Sequence, residues 1–128
     1  MRKLFATVLA AVLAVASPVA AQTYLGSYST WIGSNDLTNS NGQRLWEPWQ
    51  VIRQDRANFH RFGLRDPGDG ADPWFHNANA RAQLEQAVIR FGLPPQQRDM
   101  IVQGGTWVQV DVFGQGNSVS AVNLMVWR

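Results

Sequence analysis

Between His60 and His76 the chain reads HRFGLRDPGDGADPWFH, a loop with a histidine at each end and Asp66, Asp69 and Asp72 between them. Carboxylates of this kind suit hard cations such as calcium, and imidazoles suit borderline metals or proton transfer. The spacing argues against both uses. The acids stand three apart, where an EF-hand loop needs them two apart. The sixteen positions separating the histidines do not put them on one helical face. Each loop residue also has a backbone role open to it. Asp66-Pro67-Gly68 and Asp69-Gly70 are turn sequences, and Asp72-Pro73 reads as an N-cap followed by the first residue of a helix. The expectation is turn and cap duty without a cofactor, with calcium at Asp66, Asp69 and Asp72 as the weaker alternative.

Asp55 is the second candidate. A wheel at 100° per residue sets it among Val51, Phe59 and Phe62, on the apolar side of a helix. A carboxylate there needs an ion pair or backbone clamp, and Arg65 or a later arginine is the expected partner. The sharper alternative is a general base of raised pKa, with His60 and His76 as further catalytic candidates. On the same wheel Arg53, Arg56 and His60 share another face, either a solvated surface or a cationic patch for a carboxylate or phosphate. Trp46, Trp49 and Trp74, with Trp31, allow a third chemistry. Tryptophans interspersed with polar side chains stack on sugar rings, although a chain this size also needs its large rings for a core. No nucleophile elbow, P-loop, zincin or dinucleotide fingerprint occurs in the sequence.

The elements that must carry these residues follow from periodicity. Residues 24–32 read as a strand with Tyr24, Tyr28 and Ile32 on one face and Leu25 and Trp31 on the other. Asn41-Gly42 suits a tight type I′ turn within a small peripheral hairpin. Pro48 opens a helix running to Phe62, and a second spans about Ala78 to Phe91, with Arg81 and Glu85 paired on its outer side. Both helices end in RFGL, at residues 61–64 and 90–93. In each copy Arg favours the carbonyl end, Gly takes a left-handed C′ position, and Leu can fold back. Residues 96–102 add at most a short helical turn. Residues 106–127 alternate as an antiparallel hairpin. Thr106, Val108, Val110 and Val112 form one face of its first strand, and Val122, Leu124 and Val126 one face of its second. The expected fold is α+β: a small antiparallel sheet, made of the N-terminal strand and the C-terminal hairpin, covered by two amphipathic helices.

Residues 1–21 have the form of a Sec-type signal peptide: Arg2 and Lys3, an apolar stretch, then Val19 and Ala21 before the break. The expected product is a single domain over residues 22–128, exported to a bacterial periplasm or secreted, with no membrane span. Of the 11 basic residues, Arg2 and Lys3 lie in the leader, leaving nine arginines against nine acids. A chain without surplus positive charge is not built for nucleic acid. Without cysteine it has neither disulfide nor thiol chemistry. These features together predict a non-enzymatic binding or structural module, with a cell-envelope glycan or a protein as its partner. The alternative is a small hydrolase or metal-dependent enzyme using Asp55, His60 and the acidic loop 66–72.

Overall fold

The computed structural model describes residues 22–128. The leader reading falls outside them. Strand β1 (Thr23–Ile32) leads through a 3-10 turn (Ser34–Leu37) to helix α1 (Pro48–Ala57), which continues as a wider π-helical turn over Asn58–Phe62. Helix α2 (Ala78–Phe91), helix α3 (Pro95–Gln103), and strands β2 (Thr106–Gln115) and β3 (Ser118–Trp127) follow. The three strands form one antiparallel sheet in the order β1-β2-β3, so the α+β reading holds. Among the described residues there are three α-helices rather than two, because Pro94 and Pro95 start a new helix instead of merely ending α2.

The helices cover one face of the sheet. That face brings Tyr28, Ile32, Val108, Val110, Val112, Val119, Val122 and Leu124 against Val51 and Ile52 of α1, Leu84, Ala87 and Val88 of α2, and Ile101 of α3. Burying aliphatic side chains of this size contributes about 1.5–3 kcal/mol each. The sum, opposed by chain entropy, holds a fold that has no cysteines to cross-link it.

Two bulges alter the strand faces expected from alternation. The β1–β2 register shifts between Tyr24 and Gly26. Leu25 is thereby turned toward the core, and Tyr24 is placed on the outer face, in edge contact with Phe113. In β3 the extra residue Ser120 pairs with nothing, which carries Val119 inward instead of leaving it beside Ala121. An inserted residue reverses the in–out alternation beyond it, and period-two counting has no means of seeing that.

The helices depart from the wheel for similar reasons. The π-turn adds a residue to the helical period, and Phe62, expected on the buried face, is exposed. Asp72 does not start α2; Asn77 does, accepting from the Ala80 N–H. Arg81 does not pair with Glu85. It is buried and donates to the Phe75 carbonyl, while Glu85 binds Arg53. Gly63 and Gly92 both close their helices in left-handed conformations, but only Leu93 packs into the core, Leu64 being exposed. The 38–45 segment has one bridge, Thr38 to Arg44. Its only left-handed residue is Gly42, so the type I′ turn does not form.

Candidate functional site

The loop of residues 63–76 is tied down by a buried ionic cluster built around Arg56. This side chain is 0% exposed and lies between the carboxylates of Asp55 and Asp72, each at 2.8 Å. Its remaining N–H groups reach the Gly70 carbonyl and the Thr30 hydroxyl, and the guanidinium packs over the Tyr28 and Phe59 rings. The acids are equally occupied. Asp55 accepts from Thr30 Oγ1, and Asp72 Oδ1 caps the Trp74 and Phe75 N–H groups. Asp69 accepts from the Trp31 N–H and the Asp66 N–H, and its Oδ1 lies 3.0 Å from Thr30 Oγ1, whose single proton goes to the nearer Asp55. Together these bonds hold the loop along the outer edge of β1, where the Gly70 N–H also donates to the Ser29 carbonyl. Gly70 leaves no room for a Cβ there, which is why the closest approach falls on a glycine.

This arrangement corrects several sequence expectations. The partner of Asp55 is its neighbour Arg56. Arg65 instead lies 3.9 Å from the Phe59 ring centroid. Arg53, Arg56 and His60 do not make a surface patch, since Arg53 pairs with Glu85, Arg56 is internal, and His60 turns to Asp72. The wheel failed at Arg56 because two adjacent residues, 100° apart, can both face inward when each is the other's counter-ion. Asp36, Asn58 and Thr30 are buried polar residues that sequence reasoning did not single out, and Arg81, expected on the outer side of α2, is buried too. No local pattern announces them, because their partners come from other elements.

Burial pushes Asp55 up to about 6, against the opposing pull of Arg56 and Thr30. Burial, with repulsion from Asp55, pushes Asp36 up to about 7. Asp72 goes the other way. Burial would raise it, but hydrogen bonds from His60 and Arg56 outweigh that and hold it below the usual carboxylate range. Burial also lowers His60, against the hydrogen bond to Asp72. A neutral imidazole at 2.7 Å from Asp72 Oδ2 must donate from Nε2–H.

The two histidines do meet. Their ring centroids are 4.3 Å apart, with His60 inside and His76 exposed. His60 and Asp72 form the orienting half of an acid–base pair, but among the described residues no hydroxyl nucleophile bonds to either histidine. Asp55 has both oxygens engaged, by Thr30 and by Arg56. Among the described residues no three His, Asp or Glu side chains converge as a metal site, and the oxygens of Asp66's loop partners Asp69 and Asp72 face N–H donors.

Among the described residues, no helix lies against the opposite face of the sheet. The register lays its outward side chains in a grid. Trp31, Trp107 and Trp127 cross the sheet in one row, with Trp31 and Trp107 edge to face at 5.1 Å. Next come Ser29, Gln109 and Met125, then Ser27, Asp111 and Asn123, and finally Tyr24, Phe113 and Ala121. Met125 is 52% exposed, Tyr24 57% and Trp127 39%. Asp111 is the grid's single charge; hydrogen bonds from Ser27 and Gln109 hold it ionised, below the usual carboxylate range. Of the tryptophans singled out from sequence, Trp31 lies in this grid, Trp49 and Trp74 pack against the core, and Trp46 is strongly exposed, beneath Arg44 and outside the grid. Alternation in residues 106–113 puts Trp107 and Phe113 opposite the valines, which was the available signal for the open face.

No helix of the described residues is long and apolar enough to cross a membrane. No family model, curated protein or solved structure matches the chain, so its reading rests on the geometry just described.

Proposed function

We propose that this chain is an exported, non-enzymatic binding module whose working surface is the open sheet face and whose ligand is a cell-envelope glycan. The observation that carries this is the grid itself: a row of three tryptophans and a row with Tyr24 and Phe113 beside Ala121, flanking two rows that are polar except for Met125. A pyranose presents C–H faces that stack on rings and hydroxyls that bond to carboxylates and amides, so a glycan strand meets both needs at once. From Trp107 to Phe113 the grid spans seven residues of β2, roughly 20 Å over their six steps at the rise of a strand, enough for several sugar units. One negative charge and no positive one disfavours polyanions such as nucleic acid. A leader of the Sec type would deliver the protein to the compartment where such glycans lie.

Co-sedimentation with purified peptidoglycan sacculi, followed by calorimetric titration with soluble glycan strands, tests the reading. The parent protein binds, and Trp127→Ala and Tyr24→Ala each weaken binding about tenfold, the loss of roughly 1.4 kcal/mol of ring stacking. Trp46→Ala, outside the grid, binds as the parent does. Failure of the parent to bind, or loss on Trp46→Ala alone, overturns it.

A further inference from the structure

We propose that the free edge of β3 is a self-association surface, through which two copies of this chain join their sheets into one of six strands. The two edges of the sheet are treated differently. The edge of β1 is covered by the 66–72 loop, with Asp69 accepting the Trp31 N–H and the Gly70 N–H donating to the Ser29 carbonyl. On β3, among the described residues, side chains bond the backbone only at the two ends, where Arg90 donates to the Ser120 carbonyl and Thr106 Oγ1 to the Trp127 carbonyl. From Ala121 to Val126 no side chain of the described residues covers the edge.

An edge strand directs alternate N–H and C=O groups outward, and proteins that stay monomeric guard such an edge with charges, prolines or bulges. Residues 121–127, AVNLMVW, contain no charge and no proline. The segment is also self-complementary. In a two-fold antiparallel pairing centred on Leu124, Val122 meets Val126 and Leu124 meets its own copy on the covered face. On the open face Ala121 meets Trp127 and Asn123 meets Met125. The covered-face pairs are apolar on apolar, small Ala121 stands against large Trp127, Asn123 against Met125 is the one mixed pair, and no like charges oppose one another. The bulge at Ser120, with Arg90 on it, sets the limit of the pairing on each side. A second copy is therefore the occupant that fits this edge. The product extends the open grid without interruption across the two-fold axis. The inference is independent of the glycan reading, since it can be measured with no ligand present.

Two variants at exposed positions test it in the purified protein. Sedimentation equilibrium of the parent should give a mass that rises to twice the chain's with concentration, in the micromolar range expected for an interface of modest size. Asn123→Lys with Met125→Lys sets lysines opposite one another twice and should leave a monomer with unchanged circular dichroism. Asn123→Cys with Met125→Cys, in a chain that otherwise has no cysteine, should be trapped on oxidation as a disulfide-linked dimer. A parent that stays monomeric at about millimolar concentration overturns the proposal, as does a dimer that the two lysines leave intact. If the lysine variant does not fold, the cysteine variant decides: a cross-linked dimer upholds the pairing, and its absence refutes it.

Discussion

The Arg56 cluster and the open face of the sheet are the two regions richest in side chains able to do chemistry, and they are organised in opposite ways. In the cluster, Asp55, Asp72, Asp69, Thr30 and His60 all have partners, and those partners are one another and the backbone. On the open face, Tyr24, Met125 and Trp127 present large apolar surface to solvent, which a protein keeps at a cost in solubility unless something docks there. Residue type alone pointed to the first region. The presence or absence of partners points to the second. A histidine beside an aspartate is a working pair only if a reactive group remains to be served. Here the carboxylate already serves an arginine and two backbone amides.

The largest effect expected from breaking that comparison is at Arg56. Arg56→Met keeps much of the packing volume over Tyr28 and Phe59 but leaves Asp55 and Asp72 buried without their shared cation. Losing one partner of a buried ion pair costs about 3–5 kcal/mol, so the melting temperature should fall by some 15 °C or more for a domain this size. Calorimetry or thermal circular dichroism reads it directly. A fall of only about 2 °C, well under one kcal/mol, would mean that the cluster does not hold the loop and that its ionisable groups are available for other work.

How far this was legible in the sequence depends on the range of the interaction. Helix ends at Gly63 and Gly92 and the β2–β3 hairpin rest on contacts between near neighbours, and they follow from turn chemistry and alternation. Asp55 was recognisable as buried because its helix neighbours are apolar. Its partner was not, because the pull that turns Arg56 inward comes from Asp72, sixteen residues on, in a loop with no periodicity. Of the outward tryptophans only Trp31 was picked out, for the complementary reason. Trp46 and Trp49 stand together in sequence and drew attention together, whereas Trp31, Trp107 and Trp127 become a row only when three strands pair. The bulges at Leu25 and Ser120, which decide where Tyr24 and Val119 face, leave no mark beyond a nearby glycine or serine.

A second, smaller effect separates the regions by pH. In the folded chain the raised pKa values of Asp55, about 6, and Asp36, about 7, mean that it binds protons more tightly than the unfolded chain does. Between the ordinary carboxylate value and those figures, stability therefore falls as pH rises. His60 opposes this. Its lowered pKa lets the unfolded chain protonate first, so its contribution is lost as pH drops below the ordinary histidine value. Asp72, held low, contributes stability that disappears only in stronger acid. Asp36 and Asp55, with the less buried Asp66 raised in the same direction by its burial, act against one histidine. The protein should therefore melt a few degrees higher at about pH 5 than at about pH 8, with a loss below about pH 4 as Asp72 protonates. Asp36→Asn should flatten the upper part of that limb. A melting temperature falling steadily from about pH 8 to about pH 5 would contradict the burial assigned to both acids.

The smallest effect sharpens the comparison at the one atom that breaks its rule. Tyr28 is buried on the covered face of β1 with Arg56 over its ring, yet among the described residues its hydroxyl is the only buried side-chain polar atom without a hydrogen-bond partner. A hydroxyl taken out of water and left unpaired costs about 1–3 kcal/mol. Tyr28→Phe removes that cost and keeps the ring that packs edge to face on Phe75 and lies under the guanidinium. The variant should melt at the parent's temperature or a few degrees above it, since about 1 kcal/mol corresponds to roughly 4–8 °C in a domain of this size. If Tyr28→Phe instead loses more than about 1 kcal/mol, the hydroxyl has a partner in solution. The closed region would then be open to a bound group at Tyr28, and the division between a satisfied interior and an unsatisfied outer face would have to be redrawn there.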